Sequence, residues 1–140
     1  WARGEPFLLS YGDILVNPNE YRRLVAAYQD DGVVALCPNQ DLRLGGAVLL
    51  DADGLILDII EKPDKPELFP NSFYNAGIYV LHPRAFLFMA RLEKSARGEY
   101  ELTDALRQLA LSGKLHGLIL KGDWADVRDP QILAKLNRGQ

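Results

Sequence analysis

The sequence contains one cysteine, Cys37, so no internal disulfide can form, and a reducing compartment such as the cytoplasm is expected. It lacks a Cys/His cluster: His82 and His116 stand far apart, which argues against a structural zinc site. No apolar run approaches the roughly 18 residues of a membrane helix, so no membrane partner is expected. Positive charge is not in excess. Lys and Arg number 16 against 19 Asp and Glu, a formal net charge of -3, which provides no basic field for nucleic acid. Internal repeats and low-complexity stretches are also missing, and residues 1–140 open on no charged-then-apolar pattern of the signal-peptide kind. What remains is 140 residues of which 48% are apolar, the profile of one globular domain. The apolar run Phe7-Leu8-Leu9 follows the first residue closely, as expected of the later part of a longer chain.

The order of local patterns predicts an α/β domain. A strand is expected from Phe7 to Val16, interrupted at Tyr11-Gly12-Asp13, with Phe7-Leu8-Leu9 buried on both faces. Asn17 is placed to cap a helix, Pro18 to begin it, and Glu20 to complete a capping box. Tyr21, Leu24, Val25 and Tyr28 give that helix one apolar face, with Gly32 as its stop. Val33 to Leu36 is the next strand, and the strand-helix-strand order suggests a βαβ unit in a parallel sheet. Asp51-Ala52-Asp53-Gly54 between Ala47–Leu50 and Leu55–Ile60 signals a hairpin. Asn75 to Leu81 is a further strand. A short helix follows Pro83, with Phe86, Leu87 and Ala90 on one side. Leu102, Ala105, Leu106, Leu109 and Ala110 mark a longer helix ended by Gly113, and Leu115 to Leu120 a strand. A last helix is expected, with Asp129 as cap, Pro130 first, and Ile132, Leu133 and Leu136 inward. The sum is an α/β fold with a mixed, mainly parallel sheet.

Four short motifs carry chemistry. Tyr11-Gly12-Asp13 closes a predicted strand, where open α/β sheets bind ligands; the glycine admits close approach and the aspartate can hold a metal. Glu61-Lys62-Pro63 follows the hairpin. Glu61 can accept two hydroxyl hydrogen bonds and Lys62 is a point charge suited to phosphate. The amide of Asn75, in Asn75-Ala76-Gly77, can both donate to and accept from a sugar hydroxyl. Asp126, in Trp124 to Pro130, is not needed for capping. Each motif also has a plain reading, as turn chemistry or a solvated ion pair. Asp13 and Asp126 each follow a predicted strand and could meet at one sheet edge. Two carboxylates completed by substrate phosphates and water suit Mg²⁺.

Taken together and in order, these motifs resemble the sugar-1-phosphate nucleotidylyltransferase family over nearly the whole chain. Phe7 to Asp13 resembles that family's apolar strand ending in Gly-Asp, and Gly46 with the hairpin resembles its Tyr-Gly hairpin. Glu61-Lys62-Pro63, Asn75-Ala76-Gly77-Ile78-Tyr79 and Glu99-Tyr100-Glu101-Leu102-Thr103-Asp104 resemble three further family motifs, and Trp124 to Pro130 resembles its Trp-x-Asp-Val-Gly segment. The resemblance implies a Rossmann-like nucleotidyltransferase fold, Mg²⁺ held by Asp13 and Asp126, and substrate contacts from Gly46, Glu61, Lys62 and Asn75. It also implies the reaction of a sugar-1-phosphate with a nucleoside triphosphate to give nucleotide-sugar and pyrophosphate.

Three departures stand out. Gly45 takes a place where the family often has Tyr, and Arg128 one where it often has Gly, which would put a cation beside the metal carboxylate. The family's Gly-x-Gly-x-Arg loop, which binds the triphosphate and supplies a catalytic arginine, does not occur in these residues. Residues 1–140 are therefore expected to form a partial nucleotidyltransferase domain lacking the first βα units, with no catalytic arginine and no turnover by itself. The alternative is a non-catalytic sugar-phosphate-binding or regulatory paralogue. The uncovered first strand is expected to recruit a second copy, making a homo-oligomer, or a preceding segment.

Overall fold

The computed structural model describes residues 3–128 and 133–134. Its strands are β1 (Phe7–Ser10), β2 (Ile14–Val16), β3 (Gly32–Cys37), β4 (Gly46–Leu50), β5 (Ile56–Glu61), β6 (Phe73–Leu81), β7 (Leu115–Ile119) and β8 (Trp124–Asp126). Its helices are α1 (Pro18–Ala26), α2 (Ala85–Met89) and α3 (Leu102–Leu111). The expected last helix, with Asp129, Pro130, Ile132 and Leu136, lies outside the described residues apart from Leu133 and Ala134.

The α/β class and the mixed sheet are as expected. A six-stranded sheet runs β5-β4-β6-β3-β7, with β1 also paired to β6, and β2 pairs with β8 in a separate two-stranded ribbon. Among the described residues β3 and β7 pair in parallel, and the other pairings are antiparallel. Parallel pairing is thus a smaller share than the sequence suggests. β1 and β3 do point the same way across α1, but antiparallel β6 lies between them, pairing with both. Local patterns identify strands and crossovers; they do not say which later strand inserts between two earlier ones.

β3 explains the layering. Val33, Ala35 and Cys37 join a core cluster with Leu24 of α1, while Val34 and Leu36 join another with Leu106 and Leu109 of α3. Alternate residues of a strand point to opposite faces, so a strand without a polar position must be covered on both sides. β6 behaves alike: Tyr79 and Leu81 face α3, and Ile78 and Val80 face α1.

Several local expectations are corrected. β1 is not buried on both faces, since Leu8 is 41% exposed while Phe7 and Leu9 pack on the core. No capping box forms. Asn17 does cap α1, its Oδ1 accepting from the Asn19 N–H at 3.0 Å, but the buried Glu20 turns to Arg23 and to the N–H groups of Lys121 and Gly122. A neighbouring guanidinium and two long-range N–H groups outcompete the cap's own N–H. α1 ends at Ala26, and Gly32 opens β3. Val25 is exposed on α1, and Phe86 and Leu87 are exposed on α2, which buries Ala85. The hairpin forms as expected, with Asp51 Oδ1 accepting from the N–H groups of Asp53 at 2.9 Å and Leu55 at 2.8 Å.

Candidate active site

A fork in the sheet makes the cavity. Opposite β3, β6 pairs with β4 through Phe73 and Tyr74 and with β1 from Ile78 to Leu81. Asn75, Ala76 and Gly77 lie between those two stretches, and β4 and β1 diverge there. Side groups fill the gap. The Tyr11 N–H donates to the Gly77 carbonyl at 2.9 Å, the Trp124 indole N–H to the Ala76 carbonyl at 2.9 Å, and the Gly77 N–H to Asn75 Oδ1 at 3.2 Å. Gly77 is required here: its φ is +75°, and a Cβ would stand 2.8 Å from the Tyr11 ring.

The cavity at this fork has a volume of about 240 Å³, and its lining includes all six residues singled out in the sequence: Asp13, Gly46, Glu61, Lys62, Asn75 and Asp126. They come from five segments of the fold. Asp13 follows β1 at the end facing the fork, and its backbone carbonyl accepts from the Val127 N–H at 2.8 Å. That bond extends the β2–β8 ribbon, in which Ile14 faces Asp126. The ribbon therefore brings the two distant aspartates to one cavity. Gly46 and Glu61 are register partners at the open end of the β4–β5 hairpin. Lys62 leaves that hairpin with φ +43°, and its N–H donates to the Gly45 carbonyl at 3.0 Å. A non-glycine residue in this region carries strain on the order of 1 kcal/mol, and such strain concentrates at functional sites.

The electrostatics are uneven. Lys62 Nζ stands 3.9 Å from Glu61 Oε1, as does the Arg97 guanidinium, which also pairs with Glu101 at 2.7 Å. Asp126 is mostly buried. Burial pushes its carboxyl above the ordinary range, Arg128 opposes the shift, and Asp13 adds to it. Arg128 Nε lies 2.5 Å from Asp126 Oδ2, while Asp126 Oδ1 is buried without a hydrogen-bond partner. Cys37 is no nucleophile: it lies within the core, and burial pushes its thiol up to about 12.

Sequence reasoning missed some lining residues. Tyr11, Tyr74, Glu101, Thr103 and Trp124 also face the cavity. Tyr11, Glu101, Thr103 and Trp124 stand inside the sequence motifs but carry no site assignment there, and Tyr74 lies outside every motif; no local signal separates a core tyrosine from a cavity wall. The two oddities at Gly45 and Arg128 prove to be connected. Both meet Tyr74: a Cβ on Gly45 would run into the Tyr74 hydroxyl, and that hydroxyl accepts from Arg128 Nη2 at 2.8 Å.

The raised carboxyl of Asp126 has a consequence for stability. Its folded-state proton affinity exceeds its unfolded one, so this group favours the folded state at low pH. That contribution is lost as pH rises from the unfolded value through the folded one. Asp126→Asn is therefore expected to raise the melting temperature at neutral pH, with the gain shrinking as pH falls to about 4, where carboxyls protonate. A lower melting temperature at neutral pH would contradict this sign.

The geometry defines an α/β protein with a polar, carboxylate-bearing cavity at a sheet fork. The chain belongs to the Nucleotidyl transferase family, whose profile matches residues 3–139. The bifunctional protein GlmU of Methanococcus maripaludis (strain C7) is 40% identical over 135 residues, covering 96% of this chain and 32% of that protein. A bifunctional sugar-1-phosphate nucleotidylyltransferase/acetyltransferase of Sulfurisphaera tokodaii is 28% identical over 131 residues, covering 94% of this chain and 32% of that protein. The crystal structure of a UDP-glucose pyrophosphorylase complexed with UDP-glucose matches with a TM-score of 0.83 at 23% identity, over 97% of this chain and 56% of that one, which shows a shared fold. The chain thus spans about a third of the length of the curated relatives it matches. Among the described residues no helix is long and apolar enough to cross a membrane.

Proposed function

We propose that the cavity is the sugar-1-phosphate side of a nucleotidylyltransferase site. In the reaction, a phosphate oxygen of the sugar-1-phosphate attacks the α-phosphorus of a nucleoside triphosphate, and pyrophosphate leaves. The observation that carries this reading is the convergence of Asp13, Glu61, Lys62, Asn75 and Asp126 on one cavity from distant parts of the chain. Transfer of this kind needs positioning and charge neutralisation more than a protein nucleophile.

Each residue has a task. The Lys62 ammonium neutralises the sugar phosphate. Glu61 accepts from sugar hydroxyls. Asn75 gives its amide oxygen to Gly77, so its part toward a sugar hydroxyl would be to donate through the amide nitrogen. Gly46 keeps the floor of the cavity low, since a Cβ there would stand 3.2 Å from Asn75 Cβ and 3.4 Å from Thr103 Cγ2.

The donor set fits a small hard cation that takes part of its shell from substrate. The bare Oδ1 of Asp126 faces no protein donor, and Asp13 stands beside it across the ribbon. Among the described residues no group of three or more His, Cys, Asp or Glu forms a metal cage. Mg²⁺ is consistent with so few protein ligands. Asp13 and Asp126 would hold it, and its charge would offset that of the phosphates.

Binding tests the reading directly. Glucose 1-phosphate titrated into the protein is expected to shift the amide resonances of Lys62 and Asn75, whereas glucose alone does so weakly. Shifts confined to other parts of the surface would overturn the assignment. Thr103 sharpens the test. Its Oγ1 is buried in the cavity wall with no hydrogen-bond partner, a situation that costs stability until a ligand satisfies it. Thr103→Val is expected to leave the urea midpoint unchanged or higher while weakening sugar-phosphate binding by about 1 kcal/mol. Lower stability with unchanged binding would make the hydroxyl purely structural.

A further inference from the structure

Arg128 is held across the cavity mouth by three acceptors on three segments. Its Nε lies 2.5 Å from Asp126 Oδ2, its Nη1 donates to the Leu44 carbonyl at 3.0 Å, and its Nη2 to the Tyr74 hydroxyl at 2.8 Å. Tyr74 is fixed in turn. Its ring packs edge-on against Trp124, with centroids 5.5 Å apart, and Gly45 vacates the space its hydroxyl needs. The guanidinium is thus braced, with one carboxylate oxygen as its anionic partner.

That carboxylate belongs to Asp126, whose other oxygen is buried and bare. A divalent cation approaching Asp126 meets a fixed positive charge on the same carboxylate. On Oδ2 it would also have to share lone pairs already engaged by a charge-assisted bond, which leaves only Oδ1 uncontested. We propose that Arg128 is a positioning residue that competes with the divalent cation for Asp126 and so sets how tightly the site takes the metal. This rests on the assignment of Asp13 and Asp126 as cation ligands. Nothing in that assignment requires a cation on the protein side: a neutral residue at 128 would leave both carboxylates free.

Mn²⁺ is a spectroscopic probe for such a site, because the electron paramagnetic resonance of the free ion disappears on binding. Titration of the native chain, Arg128→Gln, Arg128→Lys and Asp126→Asn with Mn²⁺ alone, without nucleotide or sugar, separates the possibilities. Arg128→Gln is expected to bind Mn²⁺ at least fivefold more tightly than the native chain. Arg128→Lys, which keeps the charge, is expected to stay within about twofold of native, and Asp126→Asn to lose the site. A merely structural arginine would give the opposite result, because loosening the cavity mouth weakens metal binding. Equal or weaker binding by Arg128→Gln, with Asp126→Asn still abolishing the site, overturns the role of Arg128 and leaves the carboxylate assignment standing. Binding unaffected by Asp126→Asn overturns both. If Arg128→Gln does not fold, Arg128→Ala with Tyr74→Phe, which removes the orphaned hydroxyl, gives the same comparison: tighter binding supports the proposal, and equal or weaker binding overturns it.

Discussion

Lys62→Ala is expected to weaken the binding of a hexose 1-phosphate by about 1.5–3 kcal/mol, the loss of a charge-assisted hydrogen bond, or roughly ten- to a hundredfold in affinity. The reasoning starts at the backbone. Lys62 is turned out of the β5 direction by a positive φ, and its N–H is tied to the Gly45 carbonyl. That turn aims the side chain at the cavity instead of continuing the hairpin edge. Its Nζ lies 3.9 Å from Glu61 Oε1, too far for a hydrogen bond, and its side chain is 39% exposed. The ammonium is therefore not consumed by protein acceptors and is available to phosphate. Calorimetry with glucose 1-phosphate reads the loss, and glucose itself is the control, since it lacks the group Lys62 would neutralise. An equal loss for both ligands would assign Lys62 to cavity shape. No loss for either would remove it from the site.

Glu20→Ala is expected to cost about 1.5–3 kcal/mol of stability, the range for hydrogen bonds to a charged group. Glu20 is 5% exposed, although it sits on the first turn of α1. Its carboxylate pairs with Arg23 and accepts from the N–H groups of Gly122 at 3.1 Å and Lys121 at 3.4 Å. These two residues lead directly into β8, so one carboxylate fastens α1 to the strand that carries Asp126. A capping-box glutamate would be worth about 1 kcal/mol, felt at the helix end. The two accounts separate cleanly. Urea unfolding gives the size of the loss, and Trp124 emission reports on β8. A large loss accompanied by a changed Trp124 environment in the folded state identifies the fastening role, whereas a small loss with Trp124 undisturbed identifies a cap.

The Glu20 case shows where sequence reasoning reaches and where it stops. Strands and helices were legible because their signals are local: the unbroken apolar run of Val33 to Leu36, the Asp-Gly turn after Leu50, the spacing of Leu102, Leu106 and Leu109. Asp13, Glu61, Lys62 and Asp126 were legible because each stands at or just beyond a strand end, where apolar alternation gives no reason for it, and Asn75 because it is a polar residue near the start of an apolar strand. The resemblance to nucleotidylyltransferases fixed their order, and the fold places them around one cavity. What the sequence could not show is partnership. Glu20 has a nearby candidate partner in Asn17 and ignores it for Gly122. β6 inserts between β1 and β3 although it follows both in the chain. Gly45 and Arg128 look like unrelated oddities until Tyr74 is seen between them. In each case the deciding contact spans a long stretch of sequence, and its energy has no trace in either local window.

The same long spans govern the order in which the protein can assemble. On a ribosome, β1 emerges ahead of β6 and finds this partner only after Phe73–Leu81 has been made, and β2 waits for Trp124–Asp126. Contacts between such distant segments must be closed against chain entropy, which slows folding and leaves the early strands open to wrong partners. The Asp13–Asp126 ribbon is thus among the last parts of the described chain to be completed. Much of the core can be buried before Asp13 and Asp126 are brought together, so any binding that needs both carboxylates waits until β8 has been made.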